Sequence, residues 1–231
     1  MIVLGISTST ASVGCAIGGH EGVLASFHSA KDRRHAEVLT PAIQFMLEQV
    51  QMSTRQISCI AVDVGPGLFT GLRVGVATAK AMSLALSVPL IGISSLDLLA
   101  FPARWSDRLI VPVIDGKRGE VFSATYRRVV GGVQQMTQPC VTTASHLVDT
   151  LSCERSDILF VGDGALRYRN ELSACDNSEF AEVVEAHPLP DALVGLAHPK
   201  AIREEFSRAE EVQPLYLRRP DAEPNFATGK Q

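Results

Sequence analysis

Cysteine is scarce in this chain, and its spacing excludes several kinds of site. The five cysteines lie at positions 15, 59, 140, 153 and 175, and none of them has a partner at the two-residue spacing of a zinc knuckle or a redox motif. Their odd number argues against a disulfide framework and favours a reducing compartment. We therefore expect ordinary core or surface thiols.

The sequence also lacks a long apolar run and an excess of charge of one sign. The longest apolar tract, 74–93, is interrupted by Lys80 and Pro89, which predicts a helix followed by a strand instead of a membrane span. The amino terminus shows no basic segment of the kind that opens a signal peptide. A net charge of −4 gives no global preference for nucleic acid or anionic membranes. We expect a cytoplasmic protein without membrane contact.

Histidine is absent from the positions that a helical metal site needs. No two of the six histidines stand four residues apart, so isolated surface histidines, His35 among them, are expected in place of a metal site. The Gly-x-Ser-x-Gly pattern of a hydrolase is missing as well. Asp63 and Asp115 end predicted strands, and each is either a lone active-site carboxylate or a capping or turn residue. The sequence therefore predicts no catalytic residue.

The hydrophobic pattern predicts an α/β protein with two lobes. Three short strands open the chain, helices and strands then alternate, and a similar order begins again at Leu109. We expect an N-terminal lobe at 1–103 and a smaller C-terminal lobe at 104–204. The segment 205–220 is expected to pack back on the first lobe, and 221–231 to form a flexible tail.

A glycine-rich loop stands between a predicted buried strand and a predicted helix. Residues 65–75 hold four glycines and one proline. Such a loop either binds an anion through free N–H groups and the helix dipole or forms a tight turn where backbones approach closely. The loop lacks lysine and Pro66 removes one donor, yet both interpretations stay open. The candidate anion or nucleotide contacts are Thr8, Gly65, Gly67, Thr70 and Gly71.

The helix after the loop, 72–86, is apolar nearly all round. Such a helix is either deeply buried or half of an interface. The helix predicted at 35–50 has one apolar stripe and would be its neighbour. A charge at Val76 or Ala79 is expected to abolish partner binding while leaving the fold intact. The predicted interface comprises His35, Leu39, Ile43, Met46, Arg73, Val76, Ala79 and Lys80.

The glycine-rich loop closely resembles the signature of the TsaB (YeaZ) family, a partner subunit in bacterial tRNA threonylcarbamoyladenosine biosynthesis. Weaker matches follow in order along almost the whole chain, at 3–9, 35–37, 92–96, 114–121, 162–165 and 214–218. The resemblance implies a two-lobed actin-like (ASKHA, RNase H-like) fold in which each lobe is a mixed sheet with flanking helices.

The catalytic TsaD-type relatives share the glycine motif but differ at two other places. Serines and leucines occupy much of 94–99, where that group has a metal-binding helix with histidines, and Ser7 stands where it has an acidic residue. Serine and leucine cannot replace neutral nitrogen ligands. Ser7 also departs from many TsaB-type relatives, which keep aspartate there. The resemblance therefore implies a chain that is not catalytic alone and holds no metal.

The resemblance also implies a biological role. The chain would be a scaffold and dimerisation subunit for transfer of threonylcarbamoyl to the adenosine next to the anticodon of ANN-decoding tRNAs. It would pair with a TsaD-type catalytic subunit, joined by a TsaE-type ATPase, and would form a homodimer when alone. Contact with tRNA would occur only through the complex. No cofactor would be tightly bound, because ATP and Mg²⁺ would be used by the partner subunits.

Two enzymes that act alone are the alternatives. One is an actin-fold ATPase or kinase, which Ser7 and the lysine-free loop disfavour. The other is a metallopeptidase-like protein, which the missing histidines disfavour. Tight binding or turnover of Mg–ATP by the purified chain, or a zinc requirement, would favour one of these alternatives over the scaffold.

Overall fold

Two mixed sheets make up the protein. The computed structural model describes residues 1–30, 35–154, 156–183 and 186–218, and these residues form one five-stranded and one seven-stranded sheet with flanking helices. The predicted tail, 221–231, lies outside the described residues.

The first sheet is built from the amino-terminal part of the chain. Its strands are β1 (Ile2–Ser7), β2 (Val13–Gly19), β3 (Gly22–Ser29), β4 (Cys59–Gly65) and β5 (Leu90–Ser94). They lie in the order β3-β2-β1-β4-β5, with β1, β2 and β3 antiparallel and β1, β4 and β5 parallel. β1 and β4 are buried along almost their whole length, as expected for strands covered on both faces.

Two long helices cover one face of this sheet. They are α1 (His35–Gln49) and α2 (Phe69–Leu86). Each helix buries one stripe of side chains at helical spacing, such as Leu39, Ile43 and Met46 on α1. A short helix, α3 (Ser95–Ala100), follows β5, and its first turn is capped by the Ser94 hydroxyl, which accepts a hydrogen bond from the Leu96 N–H over 3.2 Å.

The second sheet follows from residue 109. Its strands are β6 (Leu109–Lys117), β7 (Glu120–Ser123), β8 (Tyr126–Val129), β9 (Gly132–Gln135), β10 (Cys140–Thr143), β11 (Ile158–Val161) and β12 (Ser178–Phe180). The order is β10-β7-β6-β11-β12, and β8 pairs with both β6 and β9. The helices of this part are α4 (Ala144–Leu151), α5 (Asp163–Arg167) and α6 (Arg169–Leu172).

The last helix, α7 (Pro190–Ile202), returns to the first sheet. Its side chains Leu193 and Ala197 are buried together with Val3, Ala61 and Ile91 from that sheet. The predicted second lobe, 104–204, therefore needs correction at its end. Without α7, the second face of the first sheet would expose a row of apolar side chains to water.

Residues 205–215 then run along the first sheet. The N–H of Ser207 donates to the Leu90 carbonyl over 2.9 Å, and that of Leu215 donates to the Val64 carbonyl over 2.7 Å. Val212 is buried in the core beneath α1 and α2. Residues 205–215 thus belong to the first lobe, whereas Arg218 reaches the second sheet, where its Nη1 donates to the Gly116 carbonyl over 3.1 Å. None of the described helices has the length and apolar composition to cross a membrane.

Candidate functional site

The glycine-rich loop lies against the turn between β1 and β2 so closely that only glycine fits. A Cβ atom on Gly67 would overlap the carbonyl oxygen of Ser9, and one on Gly71 would overlap that of Thr8. Gly75 lies equally close to the Thr8 hydroxyl. These backbone approaches require glycine at three positions, whether or not a ligand binds.

The polar groups of the loop are bonded to the same turn. The N–H of Leu68 donates to the Ser9 carbonyl over 2.6 Å, and the Thr8 hydroxyl donates to the Gly71 carbonyl over 2.7 Å. Carbonyl oxygens at this position repel an anion. The tight-turn interpretation accounts for every one of these contacts. Anion binding stays a prediction for Thr8, Gly65, Gly67, Thr70 and Gly71.

Asp63, near the end of β4, is a buried carboxyl group surrounded by donors. Its Oδ2 accepts hydrogen bonds from the hydroxyls of Ser7 at 2.8 Å and Ser9 at 2.5 Å. Its Oδ1 accepts from the Ser95 hydroxyl at 2.5 Å and the Gly65 N–H at 2.9 Å. The carboxyl group thereby joins three segments: the β1–β2 turn, the glycine-rich loop and the start of α3.

Burial controls the chemistry of Asp63. The residue is 1% exposed, and loss of hydration raises the pKa of its carboxyl group, although the four hydrogen bonds counteract part of that rise. A substrate has no direct access to a group so enclosed. Of the two alternatives for Asp63, the structure favours the structural one, because the carboxyl holds turns together.

Asp115, the second candidate carboxylate, lies on β6 and braces the hairpin to β7. Its Oδ2 lies 2.5 Å from Lys117 Nζ and 3.0 Å from Arg167 Nη1, and its Oδ1 accepts the Lys117 N–H over 2.9 Å. Burial alone would raise the pKa of Asp115, but the hydrogen bonds and charges of Lys117 and Arg167 lower it overall. Lys117 and Arg118 both have left-handed backbone conformations, so this carboxylate stabilises a tight turn.

His35 is not a surface residue, and that prediction is wrong. Its side chain is 5% exposed, and its Nε2 lies 3.0 Å from the carbonyl oxygen of Thr10. A ring N–H that donates to this carbonyl ties the start of α1 to the β1–β2 turn. The first turn of α1 therefore belongs to the same structural unit as the glycine-rich loop.

The predicted interface residues divide between the core and the surface. Arg73 is exposed and Lys80 is half-buried, so contact of these two with a partner stays a prediction. The other six side chains are buried within the first lobe, where a partner cannot reach them, and their assignment to an interface needs correction for that reason. Each is at most 5% exposed: His35, Leu39, Ile43, Met46, Val76 and Ala79.

The opposite sides of α1 and α2 carry apolar side chains that the described residues leave uncovered. Phe45 on α1 is 57% exposed and Leu84 on α2 is 80% exposed. Pro41, Ala77 and Ala81 are exposed on the same two helices. The spacings of three and four residues align them on one side of each helix. We call these five residues the α1–α2 face; the i, i+4 pair Pro41 and Phe45 was its signal in the sequence.

Arg73 ends this face in a stack of cation and aromatic rings. Its guanidinium lies 3.8 Å from the centroid of the Phe69 ring, and its Nε donates to the Tyr216 hydroxyl over 3.3 Å. The Phe69 and Tyr216 rings lie 5.2 Å apart. The stack fixes the carboxyl-terminal segment against the first turn of α2.

Comparison with known proteins extends the picture beyond the chain itself. The sequence model of the family described as TsaD: tRNA N6-adenosine threonylcarbamoyltransferase matches residues 23–226. The tRNA threonylcarbamoyladenosine biosynthesis protein TsaB of Bacillus subtilis is 29% identical over 225 residues, 96% of each chain. The Escherichia coli protein of the same name is 32% identical over 136 residues, 58% of each chain.

A solved structure shares the fold. YeaZ from Pseudomonas aeruginosa superposes with a TM-score of 0.83 at 24% identity, covering 94% of this chain and 99% of that chain. The predicted two-lobed actin-like fold is confirmed by this likeness and by the two mixed sheets. With the family model matched over most of its length and TsaB proteins similar to it in sequence, the chain belongs to the TsaD family of that model and, within it, to the TsaB (YeaZ) group.

Proposed function

We propose that the chain is a subunit of the assembly that transfers threonylcarbamoyl to the adenosine next to the anticodon of ANN-decoding tRNAs. Family membership supports the pathway, since its TsaB relatives are named as tRNA threonylcarbamoyladenosine biosynthesis proteins. Within that assembly the chain acts as a scaffold for a TsaD-type catalytic subunit, and a TsaE-type ATPase joins them. ATP and Mg²⁺ are used by those partners in the cytoplasm.

The observation that carries the scaffold role is the α1–α2 face. Burying an exposed leucine or phenylalanine contributes about 1.5–3 kcal/mol per side chain, and the face offers Phe45 and Leu84. Ala77 and Ala81 are exposed on the same side of α2 as Leu84, and such small residues let a partner helix approach closely. The same face favours a homodimer when the catalytic subunit is absent.

The absence of a reaction centre on this chain is part of the proposal. Asp63 is enclosed by its own hydroxyl donors, and Asp115 is neutralised by Lys117 and Arg167. Both carboxyl groups already have structural partners, so neither stands free to act as a general base. The transferase chemistry therefore belongs to the catalytic subunit.

Introducing a negative charge on the α1–α2 face tests the scaffold role. We expect Phe45→Asp and Leu84→Asp to lose co-purification with the TsaD-type subunit of the same organism, because a carboxylate would be buried in an apolar interface. Cells that depend on either variant should lose threonylcarbamoyladenosine, measured by mass spectrometry of tRNA nucleosides. Ile202→Asp, at a 61% exposed apolar residue on α7, is the matched control and should retain both properties.

Two results would overturn the proposal. If both variants still bind the catalytic subunit at wild-type affinity, the face is not the docking surface. If the purified chain alone hydrolyses Mg–ATP or modifies tRNA, it is an enzyme in its own right and the scaffold role fails.

A further inference from the structure

The second lobe has a groove that shares no residue with the α1–α2 face. It has a volume of about 580 Å³ and runs between the segment that precedes β6 and the β8–β9 hairpin. Trp105, the only tryptophan of the chain, forms part of its wall and is 73% exposed. Val130, at the hairpin tip, is fully exposed and also lines it. We call this the Trp105 groove.

The Trp105 side chain is held in place by a neighbouring cation. The Arg104 guanidinium lies 4.9 Å from the centroid of the Trp105 ring and 4.2 Å from that of Phe101. Its Nη1 donates to the Phe101 carbonyl over 3.0 Å. The indole ring is thus exposed and yet supported by its neighbours, so stacking a ligand on it costs little conformational entropy.

The charge of the groove is opposite to that of the chain. Three arginines and one aspartate line it, whereas the whole chain carries a net charge of −4. Arg128 pairs with Asp107 over 2.7 Å, but Asp107 is 90% exposed, and such pairs contribute little. Arg127 donates to the Ser156 hydroxyl over 2.7 Å, and its nearest carboxylate oxygen, on Glu154, is 3.8 Å away.

We propose that the Trp105 groove binds an unpaired segment of RNA, with one base stacked on Trp105 and backbone phosphates on Arg127 and Arg128. An exposed aromatic ring beside arginines is the combination that single-stranded nucleic acid requires, because every base has a π-face and every linkage a negative charge. That the RNA is the tRNA substrate rests on the proposed function. The chain then contacts tRNA directly from within the complex.

The lining of the Trp105 groove favours RNA over a protein ligand. An apolar protein anchor would need a deep apolar pocket, whereas three guanidinium groups and one carboxylate line this groove beside the indole ring. Arginine side chains at the groove can exchange an exposed carboxylate for a phosphate, which binds guanidinium in the same forked geometry.

The single tryptophan permits a direct test on the full-length chain. Unmodified transcripts of an ANN-decoding tRNA should quench Trp105 fluorescence at low salt, and the midpoint should rise steeply with salt concentration. Inorganic polyphosphate of matched charge should not quench, because it has no base to stack. Arg127→Ala should weaken tRNA binding about tenfold. Arg203→Ala removes an exposed arginine that does not line this groove. This control variant should bind tRNA with unchanged affinity.

Trp105→Ala separates this proposal from the scaffold role. Labelled tRNA should bind this variant about tenfold more weakly, while the variant still co-purifies with the TsaD-type subunit. Unchanged tRNA affinity, or absence of quenching in the wild type, overturns the RNA site and leaves the scaffold role standing. Loss of the catalytic subunit with unchanged tRNA affinity would identify the groove as a protein-docking surface and also overturn the proposal.

Discussion

At the scale of single residues, the buried carboxyl group of Asp63 connects several segments of the fold, and this structural role accounts for the residue without a catalytic one. Its carboxyl group satisfies three hydroxyls and one backbone N–H. We expect Asp63→Ala to lower the free energy of unfolding by about 3 kcal/mol or more, because each buried polar group left without a partner costs about 1–3 kcal/mol. Urea denaturation measures this. Asp149→Ala, at an exposed position on α4, should change stability by less than about 0.5 kcal/mol.

The pH dependence of stability follows from the same carboxyl group. Burial raises the pKa of Asp63 in the folded chain above the value of about 3.9 for an unfolded aspartate. The protonated carboxyl therefore favours the folded state, and that contribution is complete below about pH 4 and is lost as pH rises through the folded pKa. Relative to Asp63→Asn, which cannot ionise, the wild type should lose stability from pH 4 upwards. A difference in free energy of unfolding between the wild type and Asp63→Asn that stays constant at all pH values would contradict this.

The sequence could point to Asp63 but not to its partners. A lone acidic residue at the end of an apolar strand is visible in a single chain. The partners Ser7, Ser9 and Ser95 are separated from it by between 32 and 56 residues, and serine is too common for its spacing to indicate a contact. The burial of His35 was missed as well. Its hydrogen-bond acceptor is the backbone carbonyl of Thr10, and a backbone group leaves no mark in the choice of residue.

At the scale of elements, α2 has two apolar sides with different tasks. We expect Val76→Asp to lower the free energy of unfolding by at least about 3 kcal/mol, because Val76 is 4% exposed in the core. Leu84→Asp should lower it by no more than about 1 kcal/mol, the cost of a poorer helix former with a negative charge in the last turn of α2, while weakening self-association. Urea denaturation and sedimentation velocity on the same preparations measure the two effects. Equal destabilisation by both variants would contradict the division of α2 into a core side and a surface side.

This division corrects the expectation that a charge at Val76 or Ala79 spares the fold. Helical periodicity identifies the inward side of a helix only when its outward side is polar, and α2 is apolar nearly all round. The opening strands, β4, α3 and α4 were predictable, because each shows a clear alternation, apolar run or cap. The short strands β9 and β12 were not, since four and three residues carry too little pattern.

At the scale of the whole molecule, the chain crosses between the sheets twice. It leaves the first sheet after α3, builds the second sheet, and returns through α7 and residues 205–215. The hydrophobic pattern indicates a helix at 192–208, interrupted at Pro199, but cannot say which sheet that helix covers, because both sheets offer an apolar face. The predicted boundary at 204 needs correction at that point, because α7 packs on the first sheet.

The return of the chain predicts that the first lobe cannot fold from a contiguous segment. Fragment 1–103 lacks α7, so a face of the first sheet that includes Val3 and Ile91 would be exposed to water. We expect this fragment to be aggregated or to unfold without cooperativity in thermal circular dichroism. Joining 1–103 to 186–218 through a flexible linker of about 20 residues should restore a cooperative transition, because it returns both α7 and the carboxyl-terminal segment.

A point change makes the restoration specific to α7. Leu193 is fully buried between α7 and the first sheet, so Leu193→Asp in the joined chain should abolish the cooperative transition by placing a charge in the core. Ile202→Asp, at an exposed position on the same helix, should preserve it. A cooperative transition in fragment 1–103 alone would instead mean that the first sheet is stable with one face bare, and that α7 is an accessory to the first lobe and not part of its core.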